Sequence, residues 1–285
     1  MGGSVRTSLG GVCYTLTALA ALGTGLDIHA GVLAGTDLHG TLEPLLAGGG
    51  IAPGKVFWRD SPTNSIELDC RDPQHKRERS RLTLGGYHRM ECPEVAFSGV
   101  LLNFTSGREF TLPVWRHWLT SLRRSNPSVY IQIDLHSLSL AHRADRARTL
   151  RPLPRWREWF SGTDLLQLTL DECACLTPHF PGSLETTAEL CRDLHANGVA
   201  NVVITDGARG FLHSVPERTC LWPAPEVEVV DTTGCGDVLG AAVFASRMAG
   251  LHLEDGLERA RAAATLKLGF SGLEEMGRLK LLCIR

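Results

Sequence analysis

No basic tail or stripe runs through this 285-residue sequence; its formal net charge is −2, with acids and bases mixed along the chain. That argues against a nucleic-acid surface. No disulfide framework is legible. The nine cysteines, at 13, 70, 92, 173, 175, 191, 220, 235 and 283, are odd in number and irregular in spacing. Reduced thiols in a cytoplasmic protein are the expectation. Cys173-Ala174-Cys175 lacks a second pair at zinc spacing. Gly-x-Ser-x-Gly, His-Glu-x-x-His and Gly-x-Gly-x-x-Gly are absent, and there is no internal repeat. Charge is missing from Thr7 to Leu26, a stretch long enough to cross a bilayer and preceded, like a signal-peptide core, by Arg6. Its glycines and threonines, with Asp27 and His29 directly after, favour a buried helix that starts after Gly10-Gly11 and ends near Gly23. A membrane-anchored protein is the weakest reading, and carbonate extraction would decide it.

The chain is long enough for one α/β domain with a small appendage. Its organising stretch is Val229-Val230-Asp231-Thr232-Thr233-Gly234-Cys235-Gly236-Asp237, running into Val238-Leu239-Gly240-Ala241-Ala242-Val243-Phe244. The pattern predicts a strand, a tight glycine turn and a helix. Successive amides at a helix start, at the positive end of its dipole, make an anion site. Asp237 in the first turn is then placed to take a hydroxyl proton in phosphoryl transfer. The plainer alternative is that Asp237 caps the helix or complements its dipole. No Gly-Lys-Ser/Thr follows, so the stretch is not a P-loop.

Around it, strand-like and helical segments alternate. His29 to Gly35, Val100 to Asn103, Val129 to Asp134, Leu165 to Leu168 and Val202 to Thr205 read as strands. Helices are expected after a turn at Thr36 to Gly40 and on to about Ala47, with Asp37 as a candidate cap, from Pro113 to Arg124, and from Ser183 to Asn197 before Gly198. Strands apolar on both faces and alternating with helices imply a parallel sheet covered on both sides, with ligands at the strands' carboxyl ends. Between Lys55 and Met90 the pattern changes. Val56 to Trp58, Asn64 to Asp69 and Arg81 to Leu84 are short strand-like segments, the last two flanking the polar run Arg71 to Arg79. This predicts an antiparallel hairpin with a charged tip. Lys76-Arg77-Glu78-Arg79 reads as a solvated loop rather than a ligand clamp. Trp115 with Trp118, and Trp156 with Trp159, stand at helical spacing and suit core packing.

The Asp231 to Asp237 stretch closely resembles the Asp-Thr-x-Gly-x-Gly-Asp signature of the ribokinase-like (PfkB) carbohydrate kinases, and weaker likenesses extend over nearly the whole chain. The resemblance implies a three-layer, parallel-sheet α/β fold with a small β lid. Residues 1–54 and 91–285 would form the core and 55–90 the lid, with Pro62-Thr63 as the lid's Pro-Thr element. It implies an ATP-dependent kinase of a hydroxyl on a sugar or sugar-like small molecule. Asp237 would be the base, and the amides of Gly234, Cys235 and Gly236 would hold the transferring group. Gly10 and Gly11 would lie against the acceptor, with Thr15 where the family has Asn. Thr169-Leu170-Asp171-Glu172 is similar to Asn-x-x-Glu, so Glu172 would order water around Mg²⁺; the bare reading is a helix start capped by Thr169. Thr205, Gly207 and Gly210 match the Thr-x-Gly-x-x-Gly nucleotide loop. Asp231 is a candidate for a monovalent cation such as K⁺, and a homodimer through the lid is a further expectation.

Departures are also plain. His136 and Leu138 replace the Asn and Arg that follow the family's Asp. Only nine residues, none of them Asp, precede Gly10, where members carry a first strand and an acceptor-binding Asp. The expectation is a missing first strand, from a misplaced start, a truncation or an incomplete acceptor site. The alternative function is a nucleotide- or metabolite-binding relative with a degenerate acceptor site and little catalysis.

Overall fold

The computed structural model describes residues 7–23, 25–69, 77–87, 97–177 and 184–283. In chain order its elements are α1 (Val12–Leu22), β1 (His29–Gly35), α2 (His39–Gly48), β2 (Ala52–Arg59), β3 (Ser65–Asp69), β4 (Arg77–Arg81), β5 (Gly99–Asn103), α3 (Leu112–Ser125), β6 (Tyr130–Asp134), β7 (Leu140–His142), β8 (Arg148–Leu150), α4 (Trp156–Phe160), β9 (Leu165–Thr169), α5 (Leu170–Cys173), α6 (Leu184–Ala196), β10 (Asn201–Thr205), β11 (Phe211–Val215), β12 (Arg218–Trp222), α7 (Cys235–Met248) and α8 (Leu253–Leu268). The chain divides into two compact units: Met1–Val32, Thr41–Lys55 and Ala224–Arg285, and Leu33–Gly40 with Val56–Pro223. We call them the first and second unit. Strands β1 and β2 pair as a two-stranded sheet. Among the described residues no helix is long and apolar enough to cross a membrane.

The second unit is built on a six-stranded sheet in the order β12-β11-β10-β9-β6-β5. β5, β6, β9 and β10 are parallel, as the apolar runs predict, because Ile131, Ile133, Leu165, Leu166 and Val202 to Ile204 are buried. The sheet is mainly parallel, as expected, with two antiparallel strands added at one edge. β11 and β12 return antiparallel after a turn too short for a crossover helix. The tryptophan pairs pack in the core: Trp115 and Trp118 from α3, Trp156 and Trp159 from α4, with Trp115 Nε1 donating to Trp159 O at 2.8 Å.

Between Lys55 and Met90, β3 pairs antiparallel with β4. The second strand lies earlier than expected: it is built from Arg77 to Arg81, and only Arg81 belongs to the segment read as strand from the sequence. The reason is charge pairing. Glu67 stands opposite Arg79 across the ladder, and Glu78 meets Arg148 of β8 at 2.8 Å. Ser80 N donates to Arg146 O, and Arg146 pairs with Glu67 at 3.0 Å, joining this hairpin to β7 and β8. The expected tip, including Lys76, and the Ser183 cap lie outside the described residues. Asp37 binds Thr63 rather than a helix end. Its Oδ1 accepts from Thr63 N and Thr63 Oγ1 at 2.9 and 2.8 Å, and Thr63 Oγ1 accepts from Gly35 N at 2.8 Å.

The first unit is mostly helical. α1, nearly all buried, packs against α7, and α7 packs against α8, a helix the sequence reading passed over. The strand expected at Val229-Val230 is not there. Those side chains are 55% and 60% exposed, and Val230 N and Asp231 N donate to Leu268 O at 2.8 and 3.3 Å. An apolar pair reads as strand only if a sheet receives it. Here the C-terminus of α8 takes its amides instead.

Candidate active site

In the first unit the chain enters α7 through Gly234, at φ 81° and ψ 0°. A side chain here would be strained, and its Cβ would fall 2.4 Å from Tyr14 Cδ1. Glycine therefore lets the buried Tyr14 ring lie directly under the turn. Cys235 N donates to Thr232 O at 3.3 Å and Val238 N to Gly234 O at 2.9 Å, closing the first turn. Asp237 stands in that turn, half-buried, and its Oδ1 accepts a hydrogen bond from Thr15 Oγ1 at 3.2 Å. Thr15, 222 positions away in sequence, comes from α1, whose N-terminus carries Gly11 at φ 52° after the exposed Gly10. The sequence-predicted Gly10, Gly11, Thr15, Asp231, Gly234, Cys235, Gly236 and Asp237 all belong to this unit.

Charge at the turn is well marked. Asp231 Oδ1 accepts from Thr233 N at 2.8 Å and Oδ2 from Ser271 Oγ at 3.0 Å. Partial burial pushes the Asp231 carboxyl up, but these bonds and the Lys267 charge outweigh it and hold it below the usual range. Burial, with the carboxylates of Asp231, Asp237 and Glu274 and the Cys235 thiol adding to it, pushes the Tyr14 phenol up to about 12. Burial and then Asp237 push the Cys13 thiol up to about 11. The Tyr14 phenol and the Cys13 thiol thus stay neutral beside the carboxylates of Asp231 and Asp237.

The second unit holds the other predicted residues, at the carboxyl ends of β9 and β10. Thr169 and Glu172 form a reciprocal cap on α5: Thr169 Oγ1 accepts from Glu172 N at 3.2 Å, and Glu172 Oε2 accepts from Thr169 N at 2.7 Å. Burial pushes the Glu172 carboxyl up to about 7 against these two bonds. The Thr205 loop closes tightly, with Asp206 N donating to Gly210 O at 2.8 Å and Gly210 at φ 100°, ψ −132°, a region open to glycine alone. Gly207 is exposed and a Cβ there would meet nothing within 4 Å, leaving room for a ligand.

Sequence reasoning missed several residues here. Arg148, with only 2% of its side chain exposed, donates to Ser137 Oγ and pairs with Glu78, and its Nε is buried without a partner. It lies beside His136, which sits at φ 36° and contacts Ser137 Oγ through Nδ1 at 2.6 Å. Burial, then the Arg148 charge, push His136 down to about 4 despite a backbone bond to Phe104. Arg148 stands 10 residues after Leu138, and only the β7–β8 hairpin returns it. Lys267 and Tyr14 were missed too; the lone lysine in the apolar run Leu266-Lys267-Leu268 was the available signal.

Residues 142–276 match the pfkB family carbohydrate kinase profile. Over 93 residues the chain is 36% identical to a 1-phosphofructokinase of Haloferax volcanii, covering 32% of this chain and 30% of that protein. Over 105 residues it is 34% identical to a ribokinase of Bacillus subtilis, covering 36% of each. The chain thus spans about a third of the length of these curated relatives. In structure it is similar to Arabidopsis thaliana ribokinase complexed with ribose and ATP, at TM-score 0.72 and 20% identity over 98% of this chain and 90% of that one. It is also similar to a pyrophosphate-dependent kinase in the ribokinase family, at TM-score 0.77 and 18% identity over 96% and 91%. The fold is therefore that of ribokinase, an α/β fold with a mixed, mainly parallel sheet.

Proposed function

We propose that this chain, whose residues 142–276 match the pfkB family carbohydrate kinases, is a ribokinase-like kinase that transfers a phosphoryl group from ATP to a hydroxyl of a sugar or sugar-like small molecule. The observation that carries this reading is Asp237. Its carboxylate sits in the first turn of α7, next to a left-handed glycine turn, and is held by a hydroxyl from α1. A cap would need no such second partner.

In this reading Asp237 takes the proton of the acceptor hydroxyl as the oxygen attacks. Thr15, expected from the sequence as an acceptor contact, spends its hydrogen on Asp237 Oδ1 and orients that carboxylate. The amides of Gly234, Cys235 and Gly236, at the positive end of α7, stabilise charge on the transferring group. Gly10 and Gly11 border the acceptor. In the second unit, Thr205, Gly207 and Gly210 receive the nucleotide. Glu172 commits Oε2 to its cap, and Oε1 is the atom that would face water around Mg²⁺. That donor set fits a hard ion that keeps its waters, and Mg²⁺, when bound, neutralises charge on the phosphates. Residues 55–90 act as the lid; Ile66 and Leu68, two apart on β3 and about 40% exposed (39% and 41%), give its hairpin an apolar face for a second copy.

A second reading, a metabolite-binding relative with little catalysis, is favoured by the same Thr15 contact, which removes a donor from the acceptor side. ADP release with MgATP against a panel of sugars, polyols and nucleosides separates the two. Pyrophosphate is tested as an alternative donor by orthophosphate release. Release above background with at least one acceptor is expected; MgATP binding without release on any of them would establish the second reading.

A further inference from the structure

Lys267, in the last turn of α8, has no exposed surface. Burying an ammonium costs several kcal/mol unless its surroundings compensate it. Here they do so in an unusual way. Lys267 Nζ donates one hydrogen bond, to Phe270 O at 2.9 Å, and otherwise lies 4.9 Å from the Phe270 ring centroid and 5.6 Å from that of Tyr14. The Tyr14 ring is the same one that lies under Gly234. The positive charge is therefore sealed behind the turn that begins α7, and it reaches Asp231 through space.

Asp231 was the residue that the sequence offered to a monovalent cation. Its surroundings do not fit one. Each carboxylate oxygen accepts one hydrogen bond, from Thr233 N and Ser271 Oγ, which takes up half of its acceptor sites. A buried ammonium close by would repel a second cation. We propose that Lys267 is the resident cation of the Asp231 to Asp237 turn, a positioning residue that supplies from within the chain the positive charge a bound monovalent ion would otherwise bring. Two positive features then converge on the turn: the α7 N-terminus and the sealed ammonium. Together they raise its affinity for a phosphoryl-sized anion, and they do so whichever alkali ion is in solution. The inference rests on the anion-binding reading of the turn, not on the identity of the acceptor.

The test uses sulfate as the probe. Wild type and Lys267→Met are titrated by calorimetry in sodium, potassium and tetramethylammonium buffers of equal ionic strength, with melting curves to confirm folding. Wild type should bind sulfate equally in all three. Lys267→Met should bind it at least about tenfold more weakly, the scale of one unit charge acting through partly solvated protein. Tenfold tighter wild-type binding in potassium than in tetramethylammonium overturns the proposal, as does undetectable wild-type binding or a folded Lys267→Met that binds like wild type. If the variant does not fold, the cation series on wild type decides. ADP release is measured separately: its absence beside the expected sulfate result sinks the kinase reading and leaves this one standing.

Discussion

Replacing Gly234 by alanine would put a methyl group on the face of Tyr14. The Cβ would lie 2.4, 2.6 and 2.8 Å from Cδ1, Cγ and Cε1, contacts that packed side chains do not tolerate. The backbone adds strain, since φ is 81° there; a left-handed non-glycine residue costs roughly 1–2 kcal/mol. Overpacking a buried ring costs roughly 1–3 kcal/mol more. The sum is on the order of 2–5 kcal/mol, which at about 2 °C per kcal/mol for a chain this long is a melting loss of roughly 4–10 °C. Calorimetric melting measures it, with urea titration as a second readout. The double variant with Tyr14→Leu should recover the clash but not the strain, giving a coupling of about 1–3 kcal/mol. Gly234→Ala melting within a degree of wild type, or strictly additive costs, would refute the packing argument.

Other outcomes follow from the same geometry. Thr15→Val removes the hydroxyl that donates to Asp237 and should lower turnover by about tenfold, with MgATP affinity unchanged; a parallel loss of both would point to general disruption. Activity on ribose or fructose should be poor, since Thr15 faces the base; rapid turnover of either would contradict that. In the second unit two titrations oppose each other. His136, held down at about 4, stabilises the fold fully above pH 6.5 and loses that contribution as pH falls from 6.5 to 4. Glu172, pushed up to about 7, stabilises it fully below pH 4.5 and loses that contribution as pH rises from 4.5 to 7. The slopes cancel in part between pH 4.5 and 6.5. Glu172→Gln should therefore make urea stability rise with pH over that window, and His136→Asn, which tolerates the left-handed backbone, should make it fall. An unchanged profile in both variants would contradict the burial of these groups.

Much of this fold can be read from residue pattern, and the reasons for the exceptions are specific. The parallel strands β5, β6, β9 and β10 carry short apolar segments rich in Val, Ile and Leu, and in β6, β9 and β10 burial on both faces leaves that mark in composition. The Val229-Val230 pair carries the same mark without burial, because what decides it is the availability of α8 carbonyls, which local composition does not encode. β4 was hidden for the opposite reason. Arg77 to Arg81 looks like solvated loop, and its partners Glu67 and Arg148 come from other strands. At the site, glycines, Asp237 and the Thr169–Glu172 cap were legible as short motifs. Lys267, Tyr14 and Arg148 were not, because each acts through contacts between helices or hairpins remote in sequence.

Asp237→Asn tests the central claim most directly. The substitution keeps size, shape and capping ability but removes the proton acceptor. Turnover with the best acceptor found in the ADP-release panel should fall by roughly 10²–10⁴-fold, with MgATP affinity and melting temperature nearly unchanged. If Asp237 serves only as a cap, asparagine replaces it well, and a variant that turns over like wild type would contradict the mechanism.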